Sequence, residues 1–157
     1  MEDRGSWAVK DAAILDDLVT LMGLTNEEKA AMSAAKPQAE AVGTDMIDAF
    51  YARLLKHDNT AEYLDGMVDH LRTTLGVWFL QLFSGNYDND YVQSRLTIGK
   101  THVRIGLPVR YPLAMMDLLM EYGEKAAAQS QNPDLTAAAF RKLAALDIAI
   151  FNQAYEN

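Results

Sequence analysis

The chain predicts an all-α fold, and three observations carry that prediction. Apolar residues recur near a 3.6-residue period along most of its length, the spacing that lines one face of a helix. Glycine (9) and proline (4) are sparse, and many of them sit where helices should end. Strand signals are nearly missing: no apolar/polar alternation is sustained, and no Asn-Gly or Asp-Gly pair joins two β-branched runs.

Each element follows from local chemistry. From Trp7 to Met22 the positions Ala8, Ala12, Ile14, Leu15, Leu18 and Leu21 share a face, and Gly23 closes the segment. Thr25 and Glu28 have the spacing of a capping box, which opens a second helix through an alanine-rich stretch. Pro37 should interrupt that helix or sit in a first turn. A further helix runs from about Val42 to Leu55, carrying Met46, Ile47, Phe50, Tyr51 and Leu54. His57-Asp58-Asn59-Thr60 reads as a loop, with Asn59 or Thr60 capping a short turn.

The most apolar candidate runs from Val68 to Phe83, with Leu71, Leu75, Trp78, Phe79 and Leu82, and stops at Gly85-Asn86. Asp88 or Asn89 then begins a helix that ends at His102, just before Gly106-Leu107-Pro108. Pro108 and Pro112 bracket the start of a methionine-rich helix holding Leu113, Met115, Met116, Leu118, Leu119 and Met120. Asn132-Pro133-Asp134 is a strong helix start: a cap, a proline at the first position, and an acid near the positive dipole end. That last helix runs to about Tyr155.

Composition removes several functions. At 157 residues the chain suits one domain with a real core, and no repeat or linker divides it. No apolar run approaches the ~20 residues that span a bilayer, so no membrane association is expected. Met1-Glu2-Asp3 carries the wrong charge for a signal or transit peptide, which points to a cytoplasmic protein. With no cysteine, thiolate ligation, iron–sulfur clusters and cysteine zinc sites are excluded. The net charge of -8 repels phosphate backbones and argues against nucleic acid.

The three histidines differ in setting. His57 lies in the polar loop, and His70 follows Asp69 at a helix start, so both should meet water. His102 has Ile98 one turn before it and Ile105 one turn after, on an apolar stripe. Taken alone, such a histidine reads as a satisfied core residue. No His-x-x-x-His or Glu-x-x-His cluster accompanies it, which weakens a zinc site, and no nucleophile elbow is present. One axial histidine nevertheless suffices for haem, because the porphyrin brings four ligands of its own.

The run Arg95-x-x-Ile98-Gly99-x-x-His102-Val103-Arg104-Ile105-Gly106-Leu107-Pro108 resembles the proximal region of the globin-coupled sensors, relatives of the protoglobins. Phe50-Tyr51-x-x-Leu54-Leu55 resembles that family's B-helix motif. Leu71-x-x-Thr74-x-x-x-Trp78-x-x-x-Leu82-Phe83-Ser84-Gly85 resembles its E helix, and Asp147 with Phe151-Asn152 and Tyr155 resembles the end of its H helix. The four motifs come in order and cover nearly the whole chain. The resemblance implies a globin fold over residues 25–155, an extra helix over 7–22 and a short or absent D helix. The last two helices would form a four-helix bundle in a dimer.

Carried across, it makes His102 the proximal ligand of one haem b per chain, with Ile98 packed against the porphyrin. Tyr51 would donate a hydrogen bond to O2, and Thr74 would assist it, hold a water or reposition it. CO and NO would be further ligands. A neutral donor in a dry pocket favours O2 over CO by ~1 kcal/mol or more. Val77, Trp78, Phe79, Leu96, Tyr111 and Met115 are further candidates to line the haem. Arg95 and Arg104 are expected on a solvated face or at a propionate. Gly99 is expected to leave room beside the porphyrin, and Tyr111-Pro112 departs from the family's commoner Trp-Tyr.

The implied function is that of a haem-based O2 sensor domain, not itself an enzyme, controlling a C-terminal output. Its ending most resembles the diguanylate cyclase branch, which makes cyclic di-GMP. The alternatives are a chemotaxis or histidine-kinase sensor globin, a stand-alone protoglobin-like O2 binder, and a haem-free globin-fold interaction module. Leu118, Leu119, Tyr122 and Ala126 with Leu143, Leu146, Ile150 and Phe151 are expected to give the homodimer its apolar face.

Overall fold

A computed structural model describes residues 14–156, and every regular element among them is helical. Helix α1 spans Ile14–Met22, α2 Asn26–Ala34, α3 Lys36–Leu55 and α4 Asp58–Ala61, followed by a 3-10 turn at Glu62–Leu64. Then come α5 (Val68–Gln81), α6 (Asn89–Arg104), α7 (Arg110–Ala128) and α8 (Pro133–Glu156). The part of the expected first helix before residue 14 lies outside the described residues.

Local chemistry sets most boundaries. The capping box forms: the Glu28 N–H donates to Thr25 Oγ1 at 3.1 Å and the Thr25 N–H to Glu28 Oε1 at 2.9 Å. Lys142 of α8 reaches across to the same Glu28 oxygen (2.8 Å) and to the Gly23 carbonyl (3.0 Å), pinning the α1–α2 corner onto the last helix. Helix α3 begins at Lys36 rather than Val42, because Pro37 falls in its first turn, where no N–H is needed. The His57–Thr60 stretch is one helical turn rather than a loop. Thr60 does not cap it; its hydroxyl donates back to Leu54 O (2.6 Å) and His57 O (2.9 Å), tying the turn to the end of α3.

Asp88 caps α6 by accepting from the Tyr91 N–H at 3.0 Å. At the other end Gly106 adopts φ 78°, with Gly106 N–H donating to Val103 O (3.0 Å) and Leu107 N–H to His102 O (3.1 Å). Those two bonds make a Schellman motif, and they place His102 in the last turn of α6.

Helix α8 is the spine of the packing: α6, α7 and α2 lie against it, while α3 packs on α7 and α5. Phe79, Phe83 and Phe140 form an aromatic centre, with Phe83 and Phe140 stacked at 6.0 Å. Each such ring contributes about 2–3 kcal/mol when fully buried. The apolar face expected to join two chains is used within one. Leu118, Leu119, Ala126, Leu143, Leu146 and Ile150 are all buried in this core, and Tyr122 and Phe151 are partly so.

Candidate functional site

A cavity of about 350 Å³ opens between α3, α5, α6, α7 and α8, within the size range of small-molecule sites. Its walls are mainly apolar. Helix α5 presents Leu71, Thr74, Leu75 and Trp78, one face at spacings of three, four and seven. Helix α6 presents Ile98, Thr101 and His102; α3 gives Phe50, Tyr51 and Leu54; α7 gives Tyr111, Met115 and Met116.

His102 is fixed twice. Its Nδ1 lies 2.7 Å from Ile98 O, and a carbonyl can only accept, so Nδ1 carries the proton. The free lone pair therefore sits on Nε2, the nitrogen left for the cavity that His102 borders. The Phe151 ring meets the imidazole edge-on, at 5.3 Å and 69°. A nitrogen ligand oriented by a backbone acceptor is the arrangement that metal-bound histidines use. Among the described residues no three His, Asp or Glu side chains gather as a metal cage, so a metal at His102 must bring its other ligands. A porphyrin does that, and the apolar walls suit its faces. The residues fit haem.

Tyr51 borders the same cavity and is 5 % exposed. Burial pushes its phenol up to about 12, against the pull of nearby Arg72, so it stays a neutral donor. Its hydroxyl makes no hydrogen bond to another described residue. Thr74 faces the cavity, but its hydroxyl donates to its own helix carbonyl, His70 O, at 3.1 Å.

Trp78, Tyr111, Met115 and Ile98 lie on the cavity as well, but three expected lining residues do not. Val77 points outward and is 54 % exposed, while Phe79 and Leu96 are buried in the packed core. Val77 and Phe79 flank the cavity-lining Trp78, and Leu96 follows the cavity-lining Arg95, each about 100° round its helix from that neighbour. Gly99 also serves differently. A Cβ there would come within 2.6 Å of Ala154 Cβ, so it admits α8 rather than a porphyrin. His57 and His70 are exposed.

Arg95 is the residue the sequence concealed. It is not solvated: it lines the cavity while only 2 % exposed, with its guanidinium Nε 3.3 Å from Asp147 Oδ2. That pair sits at ion-pair distance without hydrogen-bond alignment. Arg95 also donates to Gln81 Oε1 (2.5 Å) and Trp78 O (2.9 Å), and it stacks over the Trp78 and Tyr91 rings. Burial pushes the Asp147 carboxyl up from its ordinary range, opposed by Arg95 and the Tyr91 hydroxyl. Arg104, by contrast, is exposed.

The protoglobin family profile matches residues 11–157. The chain is 29% identical over 126 residues to the heme-based aerotactic transducer HemAT of Halobacterium salinarum; the match takes in 70% of this chain and 26% of that protein. It thus spans about a quarter of that relative's length. It superposes on the globin domain of a Geobacter sulfurreducens globin-coupled sensor with a TM-score of 0.84 and 27% identity, covering 91% of this chain and 98% of that one. This chain belongs to the protoglobin family and has the globin fold of the globin-coupled sensors.

Proposed function

We propose that the chain is a haem-based O2 sensor domain, holding one haem b through His102 and controlling an output domain after it. The observation that carries this reading is the His102 imidazole, protonated at Nδ1 toward Ile98 O and bordering an apolar cavity shared with Tyr51. Haem, when bound, supplies the iron that takes O2, CO or NO.

The chain's own groups supply the rest. His102 presents the Nε2 lone pair. Leu71, Leu75, Met115 and Met116 keep water away from the site. Tyr51 offers an uncommitted O–H donor that burial keeps neutral. Thr74, engaged with His70 O, is free to accept a hydrogen bond from Tyr51 or a water. His102 passes any displacement into α6, which packs on α8, so ligand can favour one of two packings of the last helices.

A homodimer through the last two helices would draw on the outer side of α8, where Ala137, Arg141 and Ala145 recur at helical spacing and are exposed. For the output, the Leu146-Asp147 to Tyr155 motif favours a diguanylate cyclase, and the likeness to the aerotactic transducer of Halobacterium salinarum favours a chemotaxis transducer. No helix among the described residues is long and apolar enough to cross a membrane.

The test is reconstitution with haem followed by absorption spectroscopy. A Soret band that shifts with O2 and CO is expected, and His102→Ala should abolish five-coordinate binding. No Soret band in the unmodified chain would sink the haem reading and favour the haem-free interaction module. Sequencing the reading frame beyond Asn157 decides the output; a frame that stops there favours a stand-alone O2 binder.

A further inference from the structure

Two contacts from one end of α8 converge on the short segment that carries His102. The Phe151 ring stands edge-on to the imidazole at 5.3 Å. One turn further on, the Tyr155 hydroxyl donates to Leu107 O at 2.7 Å. Leu107 is the residue whose N–H closes the Schellman motif on His102 O. The two rings also touch each other, at 5.3 Å. Between them, Ala154 packs where a side chain on Gly99 would otherwise stand, which fixes the separation of α6 and α8 at the turn before His102.

We infer that Phe151 and Tyr155 are positioning residues for His102: α8 sets the rotation of the imidazole directly and the height of its turn through the Leu107 carbonyl. The inference rests on the haem reading for its purpose, though not for its geometry. The Ile98 acceptor fixes only one ring atom, and the ring can still swing about that bond. An edge-on phenyl group removes the swing. The turn after His102 is closed from within by the two Schellman bonds, and the Tyr155 hydrogen bond to Leu107 O is its restraint from another helix. Because both restraints come from Phe151 and Tyr155 of α8, a movement of the imidazole is passed to that stretch of the helix. A movement of that helix end should in turn alter the strength of the proximal ligand.

The experiment compares the full chain with Tyr155→Phe and Phe151→Leu. In the haem-free protein, amide hydrogen exchange at Gly106 and Leu107 should quicken about fivefold in Tyr155→Phe, the effect of losing one net hydrogen bond. Exchange in α2 and α3 should not change. In the haem-loaded protein, both variants should shift the iron–histidine stretching band in the Raman spectrum, and Phe151→Tyr, which keeps the ring, should restore it. Uniformly faster exchange throughout the chain would mean a merely structural role and overturn the inference. So would variants whose turn exchange and Raman band both match the unmodified protein. If the unmodified chain takes up no haem, that reading fails on its own, and the exchange comparison still decides the positioning role.

Discussion

The Tyr91 hydroxyl donates to Asp147 Oδ1 at 2.6 Å, joining α6 to α8 across 56 residues of sequence. The carboxylate's other oxygen faces Arg95, so a buried acid answers a buried base beside the cavity. Taking two such charges out of water costs several kcal/mol each, and their attraction only roughly repays it.

Breaking that pair should therefore cost far more than removing it. Asp147→Leu and Arg95→Met are each expected to destabilise the chain by about 3–5 kcal/mol, because each strands an unpaired buried partner. The double variant should recover most of that loss. Urea unfolding of the three proteins measures the coupling, and strictly additive losses would show that the two side chains do not act as a pair.

Tyr51→Phe removes the cavity's uncommitted donor while keeping its ring. O2 release from the haem-loaded protein should quicken about tenfold, matching a net hydrogen bond of about 1–1.5 kcal/mol, and CO release should change far less. Stopped-flow displacement reads both. Equal effects on the two gases would remove Tyr51 from the donor role.

Gly99→Ala should destabilise by about 1–3 kcal/mol despite alanine's better helix propensity, since the new methyl group overlaps Ala154. Adding Ala154→Gly should return more than half of the loss. Thermal melts followed by circular dichroism give the comparison; an unaltered midpoint in the single variant would contradict the close approach of α6 and α8.

Burial works to raise the Glu28 carboxyl, but Lys142 and Thr25 outweigh it and hold it below its ordinary 4.5. A carboxyl lowered by folding contributes stability above its unfolded value, and that stability is lost as pH falls through the folded one. Lys142→Met should cost about 1–2 kcal/mol at neutral pH. The gap between variant and unmodified protein should narrow as pH drops below 4.5. A gap independent of pH would assign the loss to packing instead.

What the sequence disclosed was local. The Thr25–Glu28 box, the Asp88 cap and the Gly106 turn depend on residues a few positions apart, so spacing alone reveals them. His102 and Tyr51 read from their apolar stripes alone as core residues; the family resemblance singled them out, and the fold puts both on one cavity. Val77, Phe79 and Leu96 were misplaced for the opposite reason. On helices apolar on more than one face, periodicity cannot separate a wall of the cavity from the core or from the surface. Arg95 and Asp147 stayed hidden because charge ordinarily signals solvent, and their pairing exists only once α6 meets α8. Gly99 was given the wrong neighbour, since a glycine's sequence says that space is needed but not on which side.

The Gly123–Phe140 contact has a mechanical consequence. A Cβ at Gly123 would lie 1.9 Å from the Phe140 ring, so α7 and α8 interlock there and cannot slide past one another. They can pivot. Phe140 becomes a fulcrum near one end of α8, close to the Lys142 anchor on Glu28, and the arm from Phe140 to Tyr155 is ~22 Å long at 1.5 Å per residue. A one-degree tilt at the fulcrum moves the tip of that arm by ~0.4 Å over its helical length. Any tilt of α8 about Phe140 would therefore be largest at the end that lies beside the histidine.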